Sequence, residues 1–321
     1  MKKGTADSCH SLILLKDTIF PTKNKVLFFL KYRRINEIQN TKGVFTMNFF
    51  SNTMAHMNWV EVKKAADRNI PVLFPLGVIE EHGPHLPLGS DILWSNYICQ
   101  EVKRTRRQQG QETLIAPPYY YGINHCTRAF PGSFSLSPDT FEQVLFEIFF
   151  NFHDFGFTDI YCFNYHGDPV HIRSILHAIQ KANKELEMHI KYVIEAMDLE
   201  INSLKGDEDF LSVISPQYQP EWFEGGDPSE QGLLDIHAGA YETGMLSYMY
   251  PDLVDLDKAK RLDSYSLSPE NLDQWLAGGD STVNVVPLGY AGNPKGYPSV
   301  SNIAKELIEV QVKAICENIH M

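Results

Sequence analysis

The chain has 321 residues, enough for one large domain or two small ones, and its 43% hydrophobic and 21% charged content is that of a globular protein with a core of useful size. A formal net charge of −12 argues against nucleic acid or an anionic membrane as partner, because both select clustered lysine and arginine. The five cysteines are odd in number and form no CxxC pair, which argues against a disulfide framework or a thiolate zinc site and points to a reducing cytoplasm.

Residues 1–46 carry nine Lys or Arg against three acids, unlike the acidic remainder. The apolar patch at 26–30 runs straight into Lys31, Arg33 and Arg34 and is too short for a signal-peptide core. This segment is expected to be a poorly ordered extension, or to lie upstream of a natural start at Met47 or Met54, with one domain over 47–321. No apolar run approaches the length of a membrane span.

From Met47 on, apolar runs of strand type alternate with amphipathic helical stretches. A short helix is predicted over 58–68 and a buried strand over 70–78, broken by Pro75. A helix over 91–104 has Ser90 as its cap, and a short strand over 113–116 leads into Pro117 and Pro118. Pro138–Phe155 reads as a long helix entered from Ser137 with proline in its first turn. A strand over 158–164, a helix over 170–186 and a strand over 189–195 follow. A helix reaches 249 from the segment HAGAYET, and another spans 303–319. This alternation predicts a parallel sheet with helices on both faces. The Gly-, Pro- and acid-rich stretch 203–232 is expected to be a long loop, and 287–298 another.

Three segments carry chemistry. After the first strand comes EEHGPHLPLGSD. Side chains two apart on extended backbone face the same way, so Glu80 and His82 can share a site, and Asp91 arrives at the start of a helix. Ligands of parallel sheets bind beyond the carboxyl ends of strands, where this segment belongs. Carboxylate oxygen and imidazole nitrogen suit zinc or manganese, and Asp91 has two oxygens with which to bridge two ions. After the second long strand, NYHGDP offers His166 as a ligand and Asp168 as a ligand or a holder of water, although an aspartate before Pro169 also fits a plain helix cap. His171 and His177 lie within the following helix and are read as structural. The segment HAGAYET places His237 and Glu242 five residues apart around a turn into a helix. Glu242 is a candidate ligand, and His237 a general acid or base.

GVIEEHGPHLPLGSD resembles the signature segment of the creatininase family. NYHGD and HAGAYET resemble its second and third segments, and residues 130–133 with 135–137 resemble a further one. The resemblance covers about 54–319. It implies a single three-layer α/β/α domain around a mainly parallel sheet, often assembled as a homohexamer. It also implies two divalent metal ions, Zn and/or Mn, that arm a hydroxide against the carbonyl of a small cyclic amide. Carried over by position, Glu80, His82, Asp91, His166 and Glu242 fall on metal-ligand positions, with Asp91 on the bridging one. Asp168 falls near the attacking water, and His237 on the catalytic histidine.

The chain also departs from the pattern. Glu81 stands where relatives often have glutamine, and the second segment lacks the usual glycine before its histidine. Trp222 and Tyr121 are the aromatic candidates for substrate contact. The expected partners are a small-molecule substrate and other copies of the chain, in the cytoplasm. Competing functions are C–C or formamide hydrolysis at the same site, or an inactive binding or assembly relative. A thiol enzyme built on His125 and Cys126 is disfavoured, since adjacent residues seldom face each other.

Overall fold

The computed structural model describes residues 49–223 and 235–319, so the expected extension over 1–46 and part of the expected loop over 203–232 lie outside the described residues. Every element below falls within the unit Phe50–Met321. The strands are β1 (Val72–Leu76), β2 (Leu114–Ile115), β3 (Asp159–Asn164), β4 (His189–Glu195) and β5 (Leu211–Ile214). They pair in the order β2-β1-β3-β4-β5, parallel throughout. The helices are α1 (Trp59–Ala66), α2 (Ser90–Gln108), α3 (Pro138–Phe155), α4 (Pro169–Leu186) and α5 (Ala240–Met249). Short helices α6 (Leu256–Ala259), α7 (Pro269–Ala277), α8 (Asp280–Val285) and α9 (Tyr297–Ser301) follow, and then α10 (Ala304–Asn318).

Strand alternation divides the apolar side chains between two cores. Val72, Phe74, Ile160, Cys162, Ile190 and Tyr192 meet Phe141, Leu145 and Phe149 of α3 and Ile175 and Ile179 of α4 on one face. Leu73, Tyr161 and Phe163 meet Ile98 and Val102 of α2, Leu246 of α5 and Leu307 and Ile315 of α10 on the other. Each large side chain fully withdrawn from water contributes about 1.5–3 kcal/mol, so both faces must be covered. This is the three-layer α/β/α arrangement.

Pro75 does not break β1. Pro71, Leu73 and Pro75 turn their carbonyls toward the β2 side, where they accept from Leu114, Ala116 and Tyr119. The missing N–H of Pro75 faces the same side, where β2 has already given way to Pro117 and Pro118, and no bond to β3 is lost.

Three expectations need correction. The loop over 203–232 is interrupted by β5, which pairs with β4 from Tyr192↔Leu211 to Glu195↔Ile214. Val213 and Ile214 favour strand, but a run of four residues between Gly- and acid-rich flanks is too short to stand out, and the ladder with β4 fixes it. Ser90 is the first residue of α2 rather than its cap, and its hydroxyl donates to the Pro87 carbonyl. The loop over 287–298 contains a turn of 3-10 helix at Pro294–Gly296.

The topology places the site. From β1 the chain passes through α2 to β2 on one side, and from β3 through α4 to β4 on the other, with α2 and α4 on opposite faces. The carboxyl ends of β1 and β3 therefore border a switch-point crevice, the place where open α/β sheets bind ligands.

Candidate metal centre

Glu80 and His82 lie on the loop that leaves β1, and His166 on the loop that leaves β3. Asp91 is in the first turn of α2 and Glu242 in the first turn of α5. The side chains of Glu80, His82, Asp91 and His166 are 1–5% exposed, and that of Glu242 is 23% exposed. Two sets of donor atoms form around one residue. Glu80, Asp91 and His166 make one set, and His82, Asp91 and Glu242 the other, with all atoms of a set within 4.8 Å of one another.

Asp91 joins the sets through different oxygens. Its Oδ1 lies 3.1 Å from His82 Nε2, and its Oδ2 lies 3.3 Å from His166 Nδ1. Glu80 Oε1 lies 2.9 Å from His166 Nδ1, and Glu242 Oε2 lies 3.9 Å from His82 Nε2. Each histidine is held from behind by a backbone carbonyl. His82 Nδ1 donates to the Glu80 carbonyl at 3.2 Å, and His166 Nε2 to the Ile123 carbonyl at 2.9 Å. In the neutral ring the near nitrogen is then the one with the lone pair, on the side of the carboxylates, the arrangement that metal-binding histidines adopt.

The remaining carboxylate oxygens are also held. Thr127 donates its hydroxyl to Glu80 Oε2. The Ala238 N–H donates to Glu242 Oε2 at 2.5 Å. Ala238 has φ of 50°, a left-handed conformation that costs a residue with a Cβ about 1 kcal/mol, and that N–H bond helps to hold it.

A divalent cation fits this donor set. Among the described residues, Glu80, Asp91 and Glu242 ion-pair with histidines and with no Lys or Arg. Buried carboxylates are normally paired or metal-bound. Among the described residues, the buried Asp91 Oδ2 is approached by His166 Nδ1 at 3.3 Å and has no further hydrogen-bond partner. Without a cation, protons take the strain. Burial alone would lower the His82 pKa, but Asp91 outweighs it and the net is a rise to about 9. His166 is raised well above its ordinary value in the same way, with Glu80 and Asp91 overcoming burial. Burial would raise Asp91, but the histidines hold it well below the carboxylate range.

His237 sits beside the cluster. Its ring centroid lies 4.5 Å from that of His82 and 5.3 Å from that of Trp275. Its Nε2 donates to the Glu81 carbonyl at 2.8 Å, with Glu81 Oε1 at 3.5 Å. A nitrogen of His237 also falls within 4.8 Å of donor atoms of Glu80 and His82. Glu81 is buried against Gly289, whose φ of 71° and missing side chain make the space: a Cβ there would stand 1.8 Å from Glu81 Oε2.

Asp168 is not brought to the cluster. Its Oδ2 accepts from the N–H groups of His125 and Cys126 at 2.7 and 3.0 Å, and its Oδ1 from those of Val170 and His171 at 2.8 and 3.3 Å. The carboxylate is spent as the cap of α4 and the clamp of the 125–126 turn. Asp168→Ala is expected to cost about 2–4 kcal/mol in chemical denaturation, because four N–H groups lose their acceptor. Asp168→Asn should recover part of that, and equal stability of the alanine variant and the parent would contradict the clamp.

His171 is structural: its Nδ1 accepts from the Ile123 N–H, Nε2 faces Asn164 Oδ1 at 3.2 Å, and the ring stacks on Phe141. Burial pushes the Cys126 thiol well up, which counts against a thiolate nucleophile. Tyr121 is 46% exposed and packs on Tyr120 and Phe134, and Trp222 packs at the edge of the α2–α5–α10 core. Sequence reasoning missed Thr127 and the two carbonyl partners of the histidines, which carry no motif.

The sequence model of the family described as creatininase, creatinine amidohydrolase, matches residues 55–319. The chain belongs to the creatininase family. It is therefore a hydrolase of a family of metal-dependent amidohydrolases. Creatinine amidohydrolase of Pseudomonas putida is 24% identical over 225 residues, 64% of this chain and 74% of that protein. The 3-dehydro-scyllo-inosose hydrolase of Thermotoga maritima is 23% identical over 255 residues, 74% of this chain and 73% of that one. A mycofactocin precursor peptide peptidase of Mycolicibacterium smegmatis is 34% identical over 77 residues, 24% of this chain and 31% of that one. Solved creatininase structures of a Mn form and of a Zn–Zn form match with a TM-score of 0.61, at 22% and 21% identity, over 83% of this chain and 96% of theirs. A third, in complex with creatine, matches with a TM-score of 0.57 at 20% identity over the same shares. These structures share the fold.

Proposed function

We propose that this chain is a dinuclear metal hydrolase that opens a small cyclic amide. The observation that carries the proposal is Asp91, whose two oxygens face two different histidines, each backed by its own glutamate. Glu80, Asp91 and His166 would hold one divalent ion, and His82, Asp91 and Glu242 the other, Zn or Mn in either place. A pair of such ions supplies Lewis acidity that lowers the pKa of a water and polarises a carbonyl. The backbone carbonyls of Glu80 and Ile123 each hold the N–H on the far side of the ring, so the proton that a cation would displace is the one on the ligating nitrogen. Glu81 holds Nε2–H of His237 through its carbonyl, which leaves Nδ1 of that ring to take up a proton and pass it to the leaving nitrogen. Asp168 contributes by fixing the 125–126 turn beside Thr127, the donor to Glu80. The same proposal includes a homo-oligomer, hexameric as the family resemblance implies, acting on a small molecule in the cytoplasm.

A substrate screen tests the reaction class. Metal-supplied protein offered lactams and cyclic imides, formamides and cyclic diketones should turn over the first group best. Turnover of the diketones alone would move the assignment to C–C hydrolysis at the same centre.

Metal binding must compete with protons, which fixes a pH dependence. The His82 pKa of the metal-free protein lies near 9, above the ordinary 6.5 of the unfolded chain. Its protonated form therefore stabilises the metal-free protein fully below 6.5, and that contribution is lost as pH rises through 9. Cation affinity moves the other way, gaining about tenfold per pH unit for each proton displaced. The gap in melting temperature between metal-supplied and chelator-treated protein should widen from pH 6.5 to 9. A gap that narrows over that range contradicts ligation by His82.

A further inference from the structure

The carboxyl end of β4 carries a half-buried acid outside the ligand cluster. Glu195 Oε1 accepts from the Tyr218 hydroxyl at 2.7 Å and from Gln311 Nε2 at 2.6 Å. Gln311 Oε1 in turn accepts from the Tyr165 hydroxyl at 2.8 Å. Oε2 of Glu195 takes part in neither bond, and the residue keeps part of its surface in solvent. Burial raises this carboxyl, and Tyr218 and Gln311 only partly offset it. Among the described residues it has no ion pair with Lys, Arg or His. A glutamine at 195 would tie β4 to α10 equally well, since Gln311 and Tyr218 need only an acceptor. What the tie does not explain is the charge, which is costly in a half-buried position without a cation.

The surroundings suit a cation. Trp94 stacks on Tyr165 with centroids 5.1 Å apart and tilts against Tyr241 at 5.5 Å. Tyr218 and Trp222 pack against the same core. Aromatic faces beside a carboxylate are the usual receptor for an organic cation. The patch also adjoins the metal centre through the chain: Tyr165 precedes His166, Tyr241 precedes Glu242, and Trp94 lies one helical turn beyond Asp91. Continuing the β3–β4 register, which pairs Cys162 with Tyr192, sets Tyr165 beside Glu195.

We propose that Glu195 is a specificity-determining residue, which receives an amino or guanidino group that the substrate carries on the order of 10 Å, two strand spacings, from the carbonyl presented to the metal centre. This rests on the metal-hydrolase function proposed above. The substrate class is thus a cyclic amide with a cationic arm.

The test uses metal-loaded full-length protein and a graded series of ω-aminoalkanohydroxamates against unsubstituted alkanohydroxamates of matching length, with affinities from calorimetry. At the length that spans the gap, the amino probe should bind about tenfold tighter or more, the worth of one charge-assisted hydrogen bond. In Glu195→Gln that ratio should fall toward one, with metal content and melting temperature close to the parent. The proposal is overturned if neutral hydroxamates bind and no length shows a preference for the amine, or if the preference survives in Glu195→Gln. If the variant does not fold, the ratio in the parent protein decides. Failure of both series to bind metal-loaded protein overturns the metal-hydrolase function and this proposal with it.

Discussion

Asp91→Ala is expected to remove both cations, not one, and to lower kcat on the order of 10³-fold or more, because each ion loses a ligand and the pair loses the group that holds it together. The geometry behind this is specific: Oδ1 faces His82 and Oδ2 faces His166, and among the described residues no other side chain belongs to both sets. Glu80→Gln should act differently, weakening mainly the set that includes His166. Elemental analysis by plasma mass spectrometry reads the outcome. A variant that retains a full-affinity ion on one side would show that the two sets are independent and that Asp91 does not bridge.

The second large effect is at His237. His237→Ala should lower kcat by about 10²–10⁴-fold, the usual worth of a positioned acid–base group, while the metal content stays at the parental value. The structure makes this a sharp test, because a nitrogen of His237 also comes within 4.8 Å of Glu80 and His82 donor atoms and could serve as a ligand instead. Loss of one ion in His237→Ala would assign it to the metal. Retention of both ions with a slow turnover assigns it to proton transfer. Burial lowers the His237 pKa and the contacts with Glu81 and Glu80 more than reverse it, so the metal-free ring holds its proton well above the ordinary value.

The parts of the molecule that sequence made legible are those whose signal is local. β1 and β3 are short runs of buried apolar residues, β4 alternates buried and part-exposed positions, and α3 announces itself through Ser137 at its cap, Pro138 at its start and Gly156 in a left-handed C-cap. Four ligand candidates follow the same logic, since Glu80, His82 and His166 leave the ends of buried strands and Asp91 opens a helix. What was not legible depends on partners distant in the chain. β5 exists because β4 offers an edge. Asp168 looked free to face a metal, but its Oδ2 is taken by backbone N–H groups 42 and 43 residues upstream, and no pattern around 168 reveals them. The Glu195 network joins residues 116 apart to Gln311, with Tyr165 a further link 146 residues from that glutamine. Tyr121, an aromatic candidate for substrate contact, lies exposed beside Tyr120 and Phe134, neighbours that the residues around 121 only half reveal.

This also separates what holds the centre from what acts in it. The carbonyls of Glu80 and Ile123 orient the two ring ligands, and Thr127 orients Glu80, all through residues that a motif search passes over. Such outer partners typically carry about 10–100-fold in metal affinity.

The most direct measurement is anomalous diffraction at the zinc and manganese edges from crystals grown with the metal supplied. Two peaks should appear, one on each side of the Asp91 carboxylate, about 3.5–4 Å apart. A single peak, or none, in protein supplied with excess metal would contradict the paired-cation cage.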